Sequence, residues 1–144
     1  MVEKKIKVKL LSEKAKVPAY AHEGDAGLDL FTPETFTLKA GEKKIVDTKV
    51  AIELPEGTVG LIWDKSGLGC LKGIKTLGGV FDHGFRGSYT IGLINLSDQD
   101  YTFEAGDKIC QLLIQPVVSV EVEKVEKLDK TTSRGEGKFG STGR

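Results

Sequence analysis

Lys5-Ile6-Lys7-Val8-Lys9-Leu10 alternates charged and apolar residues without a break. A period of two sends successive side chains to opposite faces, so this stretch reads as a strand with Ile6, Val8 and Leu10 on a buried face. Val118, Val120 and Val122 alternate with Ser119, Glu121 and Glu123 in the same way and predict a second strand of that kind. Between them the pattern predicts strands over 28–31, 36–38, 45–54, 59–63, 77–81, 89–95 and 108–116. Turn formers separate these runs: Pro33, Ala40-Gly41, Pro55-Glu56-Gly57, His83-Gly84, Ser97-Asp98 and Ala105-Gly106. Many short strands with regular turns imply an all-β, jelly-roll-like barrel or sandwich. No segment holds a helical period. The one short-helix candidate runs from Ser66, its possible cap, through Leu68 to Lys72, although Gly67 and Gly69 oppose it.

A chain of 144 residues with 39% hydrophobic content fits one domain with its own core. Lys+Arg and Asp+Glu stand at 21 each, so the formal charge is zero. That balance excludes the basic excess of a nucleic-acid-coating protein but allows a local anion site. Cys70 and Cys110 form no CxxC pair, and His22 and His83 are the only histidines. A zinc site would need all four to converge, so two reduced, buried thiols are expected instead. Met1-Val2-Glu3-Lys4-Lys5 is a polar start. Neither a secretion signal nor a membrane span is expected, and the default is a cytoplasmic protein with no membrane or nucleic-acid partner. The glycine-rich, polar composition of 134–144 sets a flexible arm apart from a β domain over 1–133.

Eighteen glycines are more than the turns need, and several sit in polar clusters. In Gly24-Asp25-Ala26-Gly27-Leu28-Asp29-Leu30, Asp29 points opposite to its leucine neighbours; alone, it reads as a solvent-facing strand carboxylate. In Trp63-Asp64-Lys65-Ser66-Gly67-Leu68-Gly69, a cation, a hydroxyl and exposed amides can grip phosphate. Leu77-Gly78-Gly79-Val80-Phe81-Asp82-His83-Gly84-Phe85-Arg86-Gly87 looks like a β-hairpin with Asp82 where the buried run ends. In Ala105-Gly106-Asp107-Lys108-Ile109-Cys110-Gln111-Leu112, Gln111 interrupts an apolar strand, and a buried amide there must tie the sheet or face a ligand. In the tail, Gly135 and Gly140 have GxxxxG spacing, but no lysine or helix follows, which excludes a Walker A loop.

Read in order, these five clusters resemble the five motifs of the homotrimeric dUTP pyrophosphatase (dUTPase) family, over nearly the whole chain from Ala26 to Thr142. The resemblance implies a jelly-roll β fold of the β-clip kind and a threefold trimer with active sites between subunits. One site would take its first, second and fourth motifs from one subunit, the third from a neighbour and the fifth arm from the remaining one. It implies Mg-dependent hydrolysis of dUTP to dUMP and diphosphate, which keeps uracil out of DNA. Asp82 matches the acid that orients the attacking water, and Phe85 the aromatic against deoxyribose. Lys65, Ser66 and Gly67 match the phosphate-binding loop, and Gln111 the amide near the α-phosphate. The backbone over 79–89, Gly79 and Val80 included, would read uracil. Asp29 matches an acid that meets the metal through water. Arg134 matches the γ-phosphate contact and Phe139 the ring over uracil, while Gly140, Ser141 and Thr142 complete the phosphate-binding arm.

Three positions depart from the family pattern: Lys65 where arginine is common, Phe85 where tyrosine is usual, and Ser88 where a polar or acidic residue is more usual. The dCTP deaminases share the fold and resemble 82–95. They need a glutamate where this chain has Gly92 and an arginine where it has Cys70, so deamination is disfavoured. A non-catalytic jelly-roll binding protein is the third alternative, and it gives no reason for the five clusters to coexist.

Overall fold

The computed structural model describes residues 4–144, and Met1, Val2 and Glu3 of the polar start lie outside it. The period-two segments form strands β1 (Lys7–Leu10), β2 (Leu28–Phe31), β3 (Phe36–Leu38), β4 (Lys43–Glu53) and β5 (Thr58–Trp63). They continue as β6 (Ile74–Leu77), β7 (Val80–Asp82), β8 (Ser88–Asn95), β9 (Tyr101–Phe103) and β10 (Lys108–Pro116). One sheet runs β1-β4-β8-β6, the second β2-β10-β5-β7, and β3 pairs with β9 in a short ribbon. Every named pairing is antiparallel, in keeping with the expected jelly-roll-like architecture. Among the described residues no helix is long and apolar enough to cross a membrane.

The core lies between the sheets. β8 supplies Tyr89, Ile91, Leu93 and Asn95, every second residue, all buried. Leu30, Leu38, Ile52, Ile74, Phe103, Ile109 and Leu112 close it from the other strands. Asn95 is the polar member and is fully satisfied. Its Nδ2 donates to the carbonyls of Leu38 and Gln99 at 3.0 and 2.7 Å, and its Oδ1 accepts from Ser97.

Several expectations are corrected by packing. Val118, Val120 and Val122 form no strand and are 83%, 74% and 88% exposed, because no strand of this chain lies beside them. In β1, Leu10 is 41% exposed, so its apolar face is only partly covered. The run over 77–81 is two strands, broken at Gly78 and Gly79, whose φ values of 69° and 111° no strand tolerates. The expected hairpin is therefore absent: β7 pairs with β5 in one sheet, while β6 pairs with β8 in the other. β9 went unpredicted; its three residues carry too little pattern. Cys110 is buried as expected, but Cys70 is exposed on the turn after β5.

Candidate active site

β2, β10 and β5 place three residues in one row. Asp29 is the direct cross-strand partner of Gln111, which on its other side faces Trp63. Directly paired residues project from the same face. A β-bulge between Lys108 and Cys110 resets the alternation, burying Ile109 and Cys110 in succession and leaving Gln111 on the side of Asp29. Gly27 admits the arrangement, since a Cβ there would overlap the Gln111 carboxamide oxygen.

Asp29 is 1% exposed, not the solvent-facing carboxylate its neighbours suggested. A buried carboxylate must be paired, and this one is paired twice. Lys65 Nζ stands 2.6 Å from Oδ1 and Lys108 Nζ 3.0 Å from Oδ2. Burial by itself would raise the Asp29 pKa, but the two ammonium groups outweigh it and hold the acid below the ordinary value of 3.8. The lysine heads stay partly open to solvent, at 29% and 47% side-chain exposure, so both can meet an incoming anion.

The chain leaves β5 through Asp64 into Lys65, Ser66 and Gly67. A π-helical turn follows over Gly67–Leu71, one turn where a short helix was expected. Ser66 makes no side-chain capping bond, contrary to its expected role. The Asp64 carbonyl accepts the Gln111 Nε2–H at 2.8 Å, joining the loop to the Asp29–Gln111 row. Asp29, Lys65, Ser66, Gly67 and Gln111 thus converge at one end of β5.

Asp82 does not join them in this chain. It is exposed and pairs with Val59 near the opposite end of β5. At ~3.3 Å per residue, the strand runs about 13 Å from Val59 to Trp63 before the loop even begins. Gly79 and Val80 lie along the same edge, the Gly79 carbonyl accepting the Ile62 N–H at 2.8 Å. Phe85 is 40% exposed, with its ring centroid 5.8 Å from that of Phe81 and 6.1 Å from that of Tyr89. Phe81 and Tyr89 stack at 4.0 Å and form a rigid floor beneath it. Ser88 donates its hydroxyl to Asp47, which gives this departure from the family pattern a tethering role between β8 and β4.

The tail stands apart from both groups. Arg134 Nε donates to the Gly137 carbonyl at 3.2 Å, and Ser141 N–H to Lys138 at 2.9 Å, so its bonds are local turns. Gly140 has φ 80°, Thr142 is exposed, and Phe139 is fully exposed.

For a divalent metal the donor set is limited. Among the described residues no three of His, Cys, Asp or Glu cluster, and both Asp29 oxygens already hold ammonium groups. The residues therefore do not build a cage of their own. They suit a cation carried on phosphate oxygens and water, as is usual for magnesium.

Sequence reasoning missed two participants. Lys108 reaches Asp29 only because of the bulge, which leaves no mark in the residue pattern. Asp64 carries no signal of its own in the sequence, yet its carboxylate ties the end of β5 to Thr76 of β6.

The dUTPase family model matches residues 13–143. The deoxyuridine 5'-triphosphate nucleotidohydrolase of Clostridium tetani is 43% identical, with 100% of each chain covered. That of Clostridium novyi is 46% identical over 96% of this chain and 99% of its own. Among solved structures, a Staphylococcus bacteriophage 80alpha dUTPase mutant with dUpNHpp superposes with a TM-score of 0.92 at 32% identity, covering 99% of this chain and 100% of that one. A dUTPase mutant of phage phi11 of S. aureus, described with a structural Mg(II) ion, reaches 0.81 at 30% identity over 87% and 99% of the two chains.

Proposed function

The chain belongs to the dUTPase family and hydrolyses dUTP to dUMP and pyrophosphate; we propose that it does so at a composite site shared by three copies of the chain. The observation that carries this reading is the separation of the two chemical groups along β5. Lys65, Ser66, Gly67, Gln111 and Asp29 gather at one end, and Asp82 stands exposed near the other. A reaction needing phosphate grip and a positioned water in one place draws them from different copies. The exposed apolar row Val118, Val120 and Val122 also favours self-association, since contiguous exposed apolar side chains mark contact surfaces.

In this site Lys65 and Lys108 supply positive charge to the triphosphate. Ser66, the Gly67 amide and the Gln111 carboxamide donate to its oxygens. Asp82 orients the water for in-line attack on the α-phosphorus and accepts its proton. Backbone groups around Gly79 and Val80 match the uracil edge, and Phe85 packs on deoxyribose, crowding out a ribose 2′-hydroxyl. The arm, through Arg134, Phe139, Gly140, Ser141 and Thr142, closes over the nucleotide and excludes water. Magnesium bound to the triphosphate neutralises its charge. Asp29 would hold such an ion only through water, because both its oxygens are engaged by the two lysines.

Pyrophosphate release is measured with dUTP, dCTP, dTTP and UTP, with and without magnesium. Turnover confined to dUTP and dependent on magnesium is expected. Equal turnover of UTP, or ammonia release from dCTP, would overturn the assignment of the selective groups.

A further inference from the structure

Asp64 is one of the most heavily bonded side chains near the phosphate-binding loop, and the reaction above gives it no part. Its Oδ1 accepts the Thr76 N–H at 2.8 Å and the Thr76 hydroxyl at 2.7 Å. Its Oδ2 lies 3.0 Å from Lys75 Nζ, with the side chain only 24% exposed. Its backbone carbonyl meanwhile accepts Gln111 Nε2–H at 2.8 Å. One residue thus binds β6 through its side chain and β10 through its main chain, immediately before Lys65, Ser66 and Gly67.

We propose that Asp64 is a positioning residue for triphosphate binding: fastened to Thr76, it fixes the Gln111 carboxamide with its N–H toward phosphate and launches the Lys65–Ser66–Gly67 loop in a single geometry. The chemistry is that of an amide. A carboxamide nitrogen has two hydrogens and its oxygen has none. With one hydrogen on the Asp64 carbonyl, the other is left for an anionic oxygen, and the carboxamide oxygen is held on the Gly27 side. Released, the group can rotate and set its oxygen against phosphate, turning a donor into a repulsive contact. The loop is tightened further where the Gly69 N–H donates to the Lys65 carbonyl at 2.8 Å, with Gly69 packed close to the Asp64 Cβ. The carboxylate itself is kept ionised: burial pushes its pKa up, but the Thr76 donors and Lys75 bring it below the ordinary 3.8.

This inference rests on the site reading above, and the test separates the two. Asp64→Ala, Asp64→Asn, Thr76→Val and Gln111→Ala are compared by steady-state kinetics with dUTP, by inhibition with deoxyuridine, which has no phosphate, and by thermal melting. Asp64→Ala is expected to lower kcat/KM for dUTP by about 10- to 100-fold, the size of loss that misplacement of about 1 Å produces. Deoxyuridine inhibition stays within about twofold, because the loop does not touch the nucleoside. Asp64→Asn keeps an oxygen for Thr76 and restores most of the activity, which a requirement for charge alone would not allow. Thr76→Val removes a single bond and lowers kcat/KM by about threefold or more with melting nearly unchanged. This variant decides the matter if Asp64→Ala does not fold. Parental kinetics for Asp64→Ala or Thr76→Val beside a damaged Gln111→Ala would overturn the inference alone. Parental kinetics for Gln111→Ala would overturn the site reading as well.

Discussion

Lys65 Nζ sits 2.6 Å from Oδ1 of Asp29, a carboxylate with 2% side-chain exposure that also holds Lys108. The pair makes the loop's cation part of the β2–β10 framework. Asp29→Asn leaves two lysines facing each other without their counter-ion, and breaking a buried pair costs about 3 kcal/mol. Urea unfolding should show a loss of that order, with a rise in KM for dUTP as Lys65 loses its anchor. Parental stability and KM would refute the pairing.

The same geometry fixes an acid dependence. Asp29 and Asp64 both titrate below their ordinary 3.8 when folded, so near pH 4 the unfolded chain binds more protons than the folded one. Stability from these groups is complete above the unfolded value and is lost as pH falls through the depressed ones. Melting temperature should be flat from about pH 5 to 7 and drop below about pH 4, more shallowly in Asp29→Asn. A drop centred near neutrality would point to other groups.

The Asp82 side chain is exposed, so Asp82→Asn should leave stability within about 0.5 kcal/mol. Turnover should fall by about 100-fold or more, the range for a positioned base. Binding of a non-hydrolysable dUTP analogue, followed by calorimetry, should persist. A variant that still turns over dUTP at the parental rate removes Asp82 from the mechanism.

Tyr89 offers a stability test. Its hydroxyl is buried with no hydrogen-bond partner among the described residues, and burial, partly offset by Arg86, lifts its pKa to about 12. An unsatisfied buried hydroxyl is a cost, so Tyr89→Phe should gain about 1 kcal/mol while keeping the ring stacked on Phe81. Denaturant melts decide it, and a loss of similar size would mean that the hydroxyl has a partner in the assembled protein.

Lys49 is the one non-glycine residue with positive φ among the described residues, at 57°, inside the β4 bulge between Asp47 and Ala51. Its ion pair with Asp47 is half-exposed and worth little. Lys49→Gly should therefore raise stability by about 0.5–1 kcal/mol, whereas Lys49→Ala, which keeps a Cβ, should not. Equal effects from both variants would locate the cost elsewhere.

What the sequence determined by itself was the class of fold, the order of the strands and the five chemical clusters. Period-two patterning and turn residues are local properties, and β2, β5, β8 and β10 fell where they were read. Asp29, Lys65, Ser66, Gln111 and Asp82 stood out as candidates because polar residues are conspicuous where a strand ends or where an apolar run is interrupted, while their roles were implied by the family resemblance alone. Only the tertiary structure decided how these residues meet. Asp29 looked solvent-facing because alternation reports a side, not what covers it, and the lysines that cover it come from 36 and 79 positions away. The β10 bulge, the split at Gly78–Gly79 and the bare valine row depend on which strands lie alongside, a non-local outcome that no window of sequence contains. The distance between Asp82 and the Lys65–Ser66–Gly67 loop has the same origin: Asp82 pairs with Val59 near one end of β5 and the loop follows the other.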